Sequence, residues 1–336
     1  MCPDDGWLPS FREMRNAWLV SRTVLHRILS EAIQNGLLEG IPRRGFRKRR
    51  QPEGVYIDVI ACHEAGYMQV HGSVYSVSID YLWKGLAAMN LMPRFHLVSL
   101  YSSCSHYLEI AQLADTRGFI LISPCVGEVV ATFQETGKPV VLMFPHNRFQ
   151  GVSQVREEGY TVELQMDYLM KLGHTRILYL REESLDYIDL TKLKRQENYY
   201  RLMALNHLKI PKHWHPSYPQ GQILDALTLA FSRNPVPTAL IVYDRDVPTV
   251  YDFLRKRKLG IGTDVSVIAT DALPCLNGLS PTVTTVINHE EYSMKCVLSL
   301  LARQLQGDMT PVVKEVMLNL KTGQSTGSPT MRHQGG

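Results

Sequence analysis

Ten lysines and arginines fall within residues 1–50, against five acids, whereas residues 51–336 carry 26 against 27. The net charge is therefore +5 at the front and −1 beyond it. The densest run is Arg43-Arg44-Gly45-Phe46-Arg47-Lys48-Arg49-Arg50. A basic head on a neutral body is the electrostatic footprint of a nucleic-acid binder; the plainer reading is a solvated basic tail or linker. Two other groupings could do chemistry. Cys104-Ser105-His106 offers a thiol and an imidazole, but residues one or two apart rarely point at each other, so a loop is expected. His213 and His215 lie between Pro211 and Pro216, and no histidine spacing suits a metal. The chain has no H-E-x-x-H, G-x-S-x-G, P-loop or G-x-G-x-x-G. No catalytic residue, metal or cofactor is expected.

The elements that would carry the basic residues are legible. Ser10 with Glu13 forms a capping box for a helix over about 11–17. Ser21 caps a second helix, whose apolar stripe is Val24, Leu25, Ile28, Leu29, Ala32 and Ile33. Its other face shows Arg22, Thr23, His26, Arg27 and Ser30. Asn35-Gly36 ends it, and Leu37-Leu38 opens a strand that the Arg43-Arg44-Gly45 stretch turns back. From 54 to about 320, strands (55–61, 96–101, 118–123, 139–144, 176–181, 238–243, 266–270) alternate with helices (among them 79–89, 108–114, 158–172 and 196–208). Such alternation predicts parallel sheets with helices on both faces, and that length predicts two lobes. The Gly-, Ser- and Thr-rich stretch 323–336 is expected to be a disordered tail.

With 45% hydrophobic and 20% charged residues, the chain is an ordinary globular composition, neither collagen-like nor disordered. No apolar run approaches the roughly 20 residues of a membrane span, and the start lacks the basic-then-apolar pattern of a signal peptide. Six scattered cysteines without C-x-x-C suggest reduced thiols in a cytoplasmic protein.

The N-terminal residues resemble the GntR-type winged helix-turn-helix. The likeness rests on Gly6-x-Leu8-Pro9-Ser10-x-Arg12-Glu13, Val20-Ser21-Arg22-Thr23, Gly36-Leu37-Leu38 and Gly45. The resemblance implies a DNA-binding set of Arg12, Ser21, Arg22, Thr23, His26, Arg27, Arg43, Arg44 and Gly45, with the recognition helix in the major groove and the wing on phosphate. Leu19 stands where the family usually has Gly. The wing reads Arg43-Arg44-Gly45-Phe46-Arg47 where the family has G-x-G-T-F. The family also has a helix further upstream, so the expectation is either a wrongly chosen start methionine or a head (1–50) truncated at its N-terminus.

The larger region resembles the effector domain of the lactose/galactose-repressor family, which shares the periplasmic sugar-binding fold. Four segments carry this: Asp167-Tyr168-Leu169-x-x-Leu172-Gly173-His174-x-Arg176-Ile177; Pro237-Thr238-Ala239-Leu240-Ile241-x-Tyr243-Asp244; Gly260-Ile261-Gly262-x-Asp264-Val265-Ser266-Val267-Ile268 followed by Asp271; and Leu279-Ser280-Pro281-x-Val283-Thr284-Thr285-Val286. The combination is similar to arabinose-type repressors. It implies a two-lobed, doubly wound α/β unit over 55–322, joined to the head by a linker at 51–54, with a ligand in its cleft. Asp271, Asp244, Arg195 and Arg245 are the implied ligand contacts. A carboxylate accepts from two hydroxyls at once, which suits a polyol. Arg245 replaces the family's Asp and favours an acidic ligand. His63-Glu64, after the first strand, would face the same cleft.

The expectation is an α/β protein with a small winged head: a cytoplasmic, ligand-responsive repressor of a carbohydrate-related operon. It would bind double-stranded operator DNA and a small polar effector, without a membrane. A homodimer is expected because one recognition helix buries too little surface for operator affinity. The alternative is a ligand-binding module that has lost DNA binding.

Overall fold

In a computed structural model, the structure describes residues 7–18, 20–34, 38–42, 44–48, 55–63, 74–99, 104–124, 126–157, 159–183, 190–219 and 221–329. Arg43, Glu64, the 51–54 linker and residues 330–336 lie outside them.

The head is two helices and a hairpin: α1 (Phe11–Trp18), α2 (Arg22–Gln34), β1 (Leu38–Ile41) and β2 (Gly45–Lys48). The capping box forms as expected. Ser10 N donates to Glu13 Oε2 at 2.7 Å, and Glu13 N to Ser10 Oγ at 3.3 Å. Val24 N donates to Ser21 Oγ at 3.3 Å, which caps α2. Gly45 opens β2 at φ +102°, where a side chain would be strained. The core is small: Met14, Leu25 and Leu29, with Leu8, Phe11, Val20, Leu38 and Phe46 packed around them. Of the expected stripe only Leu25 and Leu29 join it; Val24 and Ala32 are half-buried, and Ile28 and Ile33, like Trp18, stay exposed.

The remainder builds two six-stranded sheets. The first contains β3 (Tyr56–His63), β4 (Met92–Ser99), β5 (Thr116–Ile122), β6 (Val140–Met143), β7 (Ser153–Arg156) and β13 (Val313–Glu315), in the order β13-β7-β6-β5-β3-β4, all parallel. Its helices are α3 (Val74–Ala88), α4 (Cys104–Ala111) and α5 (Gly127–Gln134). The second contains β8 (Ile177–Glu182), β9 (Ser217–Tyr218), β10 (Ala239–Val242), β11 (Ser266–Ala269), β12 (Thr284–Asn288) and β14 (Leu318–Lys321), in the order β14-β12-β11-β10-β8-β9, with β14 antiparallel. Its helices are α6 (Tyr160–Lys171), α7 (Leu190–Leu205), α8 (Ile223–Ala230) and α9 (Val247–Lys256). The chain crosses between lobes after β7, after β12 and between β13 and β14. The last helix, α10 (Glu290–Leu305), returns to cover the first sheet.

Period-2 alternation sorts each strand onto two helix layers. Leu178 and Leu180 of β8 pack towards α8 and α9, whereas Ile177 and Tyr179 pack towards α6 and α7. In β3, Ile57, Val59 and Ala61 face α3 and α10, while Ile60 and Cys62 face α4 and α5. Each such side chain buried from both sides contributes about 1.5–3 kcal/mol. Asp58 shares the α4/α5 face with no exposure at all. It is held by Arg94 Nε at 2.6 Å and Nη2 at 2.9 Å, by His96 Nε2 at 2.6 Å, and by the Thr116 hydroxyl. The carboxylate only accepts, so His96 Nε2 carries a hydrogen. These partners explain why β4 starts at Met92, four residues before the expected strand: Arg94 and His96 read as loop residues, but both point at a buried acid.

The expected disordered tail is a correction as far as residue 329. Residues 323–329 form a strap along the second sheet. Ser325 is fully buried; Val267 N donates to its carbonyl at 2.8 Å, and its hydroxyl donates to Val267 O at 2.6 Å and accepts from Thr284 N at 2.8 Å. His174 Nε2 lies 2.8 Å from Gly327 O, and its Nδ1 3.0 Å from Thr238 Oγ1. The Gly327 carbonyl only accepts, so the Nε2 hydrogen is the one on this imidazole. Burial, together with Arg176, holds His174 below the ordinary histidine value despite that carbonyl. A Cβ on Gly262, at φ +81°, would sit 2.3 Å from Gln324 O, so the strap needs glycine beneath it. Composition suggested disorder, but the small residues are there for close approach.

Candidate functional site

In open α/β sheets the crevice outside the strand carboxyl ends is where ligands bind. Here that region lies between the two lobes. Three non-glycine residues in the left-handed region sit just past strand ends: Ser123 (φ 54°) after β5, Phe144 (φ 50°) after β6 and Ala272 (φ 54°) after β11. Local strain of this kind clusters at functional sites.

The structure brings Arg195 and Asp271 together and puts Asp244 directly behind them. Arg195 rises from α7 with only 8% exposure. Its Nε reaches Glu157 Oε2 at 3.0 Å, and its Nη2 reaches Asp271 Oδ1 at 3.2 Å. Burial opposes its charge, but Glu157 and Asp271 more than restore it and hold the pKa well above the usual value. Glu157 also accepts from Thr161 N at 3.1 Å. Tyr243 lies beneath, its ring 5.8 Å from the Arg195 guanidinium and 5.7 Å from Lys192 Nζ. The Tyr243 hydroxyl meets Tyr179 OH at 3.0 Å.

Asp244 is 1% exposed, and its oxygens are taken up by the loop that presents Asp271. Oδ1 accepts from Thr270 N at 2.7 Å and Asp271 N at 3.0 Å; Oδ2 accepts from Leu273 N at 2.6 Å. Burial and then the nearby Asp271 charge push its carboxyl up to about 6, against the backbone donors. The expected ligand contact at 244 is thus a loop brace in this arrangement. Asp271 keeps 40% of its side chain exposed, and its Oδ2 accepts from the Thr270 hydroxyl at 3.0 Å. Arg245 pairs with Glu182 at 2.9 Å. Behind it, Tyr218 OH donates to Asp246 at 2.5 Å, and burial raises the Asp246 carboxyl. His63, expected just after the first strand, is instead the last residue of β3.

A small pocket of about 20 Å³, partly open to solvent, lies between the lobes beside Glu157. His146 and Arg148 line it from the loop after β6, Arg156 and Glu157 from the first crossover, and Thr191 and Lys194 from the start of α7. The lobes touch here through Leu190 N, which donates to His146 O at 2.9 Å. Sequence reading missed His146, Arg148, Arg156 and Lys194. The one available signal was the place of His146 and Arg148 just past the strand at 140–143; Arg156 ends β7 (Ser-Gln-Val-Arg), which carries too few apolar residues to be read as a strand, and Lys194 lies within α7.

Elsewhere, Cys104 begins α4 and is exposed, while His106 Nδ1 faces Glu109 at 3.6 Å. His213 is buried beside Trp214, whose indole donates to Pro235 O at 3.1 Å. In the head, Arg12, Ser21, Arg22, Thr23, His26, Arg27, Arg44 and Gly45 are all exposed. His26 Nδ1 lies 3.3 Å from Ser30 Oγ, and Arg27 pairs with Glu31 at 3.9 Å on open surface. Arg47 stacks 5.8 Å from the Trp7 ring. Among the described residues, no helix is long and apolar enough to cross a membrane.

Residues 166–326 match the family model of the periplasmic binding protein-like domain. The match spans the second lobe, the returning α10 and most of the strap. Solved structures agree on the fold. The transcriptional regulator CelR–cellobiose complex is 15% identical with a TM-score of 0.68, over 95% of this chain and 100% of that chain. A regulatory protein of the LacI family from Chloroflexus aggregans is 19% identical with a TM-score of 0.68, over 81% and 98%. The lac repressor dimer bound to operator and the anti-inducer ONPF is 14% identical with a TM-score of 0.65, over 82% and 95%. At such identities the likeness is one of fold. No curated sequence matches the chain.

Proposed function

We propose that the chain is a ligand-responsive DNA-binding transcriptional regulator, acting as a dimeric repressor of carbohydrate-related genes. Residues 1–50 are its DNA-binding head, 51–54 a linker, and the two-lobed unit its effector domain. The observation that carries this is the pairing of an exposed cationic head with a two-lobed cleft that ends on Asp271. Structures of similar fold hold cellobiose in one case and operator with an anti-inducer in another, which supports the reading. On α2 the exposed Arg22, Thr23 and His26 stand at the N-terminal end, where a recognition helix meets base edges. Arg12, Arg44 and Arg47 suit phosphate. Asp271 accepts ligand hydroxyls, while Arg195 and Asp244 hold it in place. The rival reading, a module without DNA binding, draws on the exposed Trp18, Ile28 and Ile33.

The test is a duplex selected from a random pool, titrated at several salt concentrations. Each phosphate contact steepens the fall of log K with log salt by about 0.9. Neutralising Arg44 and Arg47 should flatten that slope by one to two contacts. Arg22→Ala should cost roughly 1–3 kcal/mol on the selected duplex and little on random DNA. If no duplex is enriched, the module reading takes its place. Equal losses on both DNAs would make Arg22 a phosphate contact.

A further inference from the structure

Helix α7 is buried along one side through Arg195, Gln196, Asn198, Tyr199 and Met203. A surface helix of this kind turns polar residues to water on its other side. Here that side is largely apolar. Leu190, Leu193, Tyr200 and Leu205 are each at least 39% exposed, and Ala204 is exposed with them. By contrast α10, of the same length, exposes one large apolar residue, Tyr292, among Glu291, Lys295 and Ser299. Asn198 Nδ2 donates to Gly159 O at 3.2 Å, which brings the start of α6, with exposed Tyr160, alongside α7.

The exposed positions are spaced for another helix. Residues 190, 193, 197, 200 and 204 follow one another at intervals of three and four, the seam of a coiled-coil pair. Clustered apolar exposure marks an interaction site. The charges around it are balanced within the chain: Lys194 Nζ pairs with Glu197 at 3.0 Å, and Arg201 Nη2 with Glu163 at 2.5 Å. Two such faces therefore meet without net repulsion. Set antiparallel about Glu197, they oppose Leu190 to Ala204 and Leu193 to Tyr200, large against small and aliphatic against aromatic. Each Glu197 then comes between its own Lys194 and the Lys194 and Arg201 of the other copy, and the helix dipoles run opposite ways. A parallel pair would instead stack each residue on its own copy, with a gap at Ala204.

We propose that the outer face of α7 is a self-association surface, where two copies of the chain pair antiparallel through Leu190, Leu193, Tyr200 and Ala204. A sixteen-residue helix is about 24 Å long, and one such pair covers less than the roughly 800 Å² per partner of a standard interface. The pairing is accordingly weak. Glu197 at its centre weakens it further, as a polar residue on a seam position does, while fixing the register. The proposal does not depend on the regulator reading. Within that reading, a contact of this strength joins copies already gathered on one DNA, where their effective concentration is high.

The test is sedimentation equilibrium of the full chain without DNA, across about 1–300 μM, the range in which a weak pair forms. The wild type should associate, and Leu193→Glu with Tyr200→Glu should weaken that association about tenfold or more. Glu197→Leu should strengthen it by a similar factor. All three sites are on the surface, so melting temperatures should stay near the wild-type value. Orientation is read by mild oxidation. A mixture of Leu190→Cys and Ala204→Cys chains should form a disulfide-linked pair well above the level of the unsubstituted chain, and neither chain alone should do so. Association that neither the double variant nor Glu197→Leu changes runs through another surface and overturns the proposal. So does a monomer at every concentration in both wild type and Glu197→Leu. Linkage of Leu190→Cys to its own copy would overturn the antiparallel pairing. No DNA or effector enters the measurement, so failure here leaves the regulator reading intact.

Discussion

Asp58→Ala is expected to lose about 3–5 kcal/mol of folding stability, the usual cost of removing one partner from a buried ion pair. The Asp58 carboxylate has no solvent exposure and accepts from Arg94, His96 and Thr116, while Arg94 also reaches Asp115 at 3.0 Å. Arg94 stays about a quarter exposed and retains Asp115, which places the loss near the lower end. Burial pushes the Asp58 carboxyl up, but the hydrogen bonds from His96, Arg94 and Thr116 together outweigh it and leave it below the ordinary aspartate value. A carboxyl lowered in the folded state stabilises above its unfolded pKa, near 3.9, and that contribution is lost as pH falls through the folded value. Urea unfolding should therefore show a constant gap between wild type and variant at neutral pH, closing only below about pH 4. A gap under about 1 kcal/mol at neutral pH would mean that the network does not form.

Arg195→Met should be comparably costly, about 3–5 kcal/mol, and should abolish ligand-induced stabilisation. The substitution strands Glu157, whose side chain is 9% exposed, and frees Asp271 from the position that Arg195 gives it. Asp271 adds less to the stability loss, because it can turn to water. Arg195→Lys should not rescue, since one ammonium cannot reproduce a fork that reaches two carboxylates. The decisive measurement is a double-mutant cycle with Glu157→Gln. Removing the stranded acid should recover part of the loss, and a purely additive result would contradict the pairing.

The sequence placed strand bounds more accurately in the second lobe than in the first, for physical reasons. Its strands are short apolar runs closed by turn residues, and Ile177–Glu182, Ala239–Val242 and Ser266–Ala269 lie within one residue of where alternation puts them. In the first lobe, β4 hides behind Arg94 and His96, whose polarity answers a buried acid on the neighbouring strand. That partnership is invisible until the strands pair. β7 hides for a similar reason: Ser153 and Gln154 are fully buried, with the Ser153 hydroxyl accepting from Gln304 Nε2 at 3.1 Å and Val312 N at 3.2 Å. The strap at 323–329 looks disordered by composition because glycine and serine serve close packing there. In the cleft, Asp271 and Arg195 were legible as types, but their division of labour was not. Burial alone separates the exposed acceptor from the brace beneath it. The cations at 148, 156 and 194 had no sequence motif, because three separate segments supply them.

The most direct test of the account is a titration of the selected duplex with and without a ligand that binds the cleft, on wild type and on Asp271→Asn. The wild type should change its DNA affinity by about 5- to 150-fold, the usual range of allosteric coupling. Asp271→Asn should bind the duplex almost as wild type does without ligand, and should lose most of the ligand's effect. A ligand that stabilises the wild type through the cleft but leaves its DNA affinity unchanged would contradict the account.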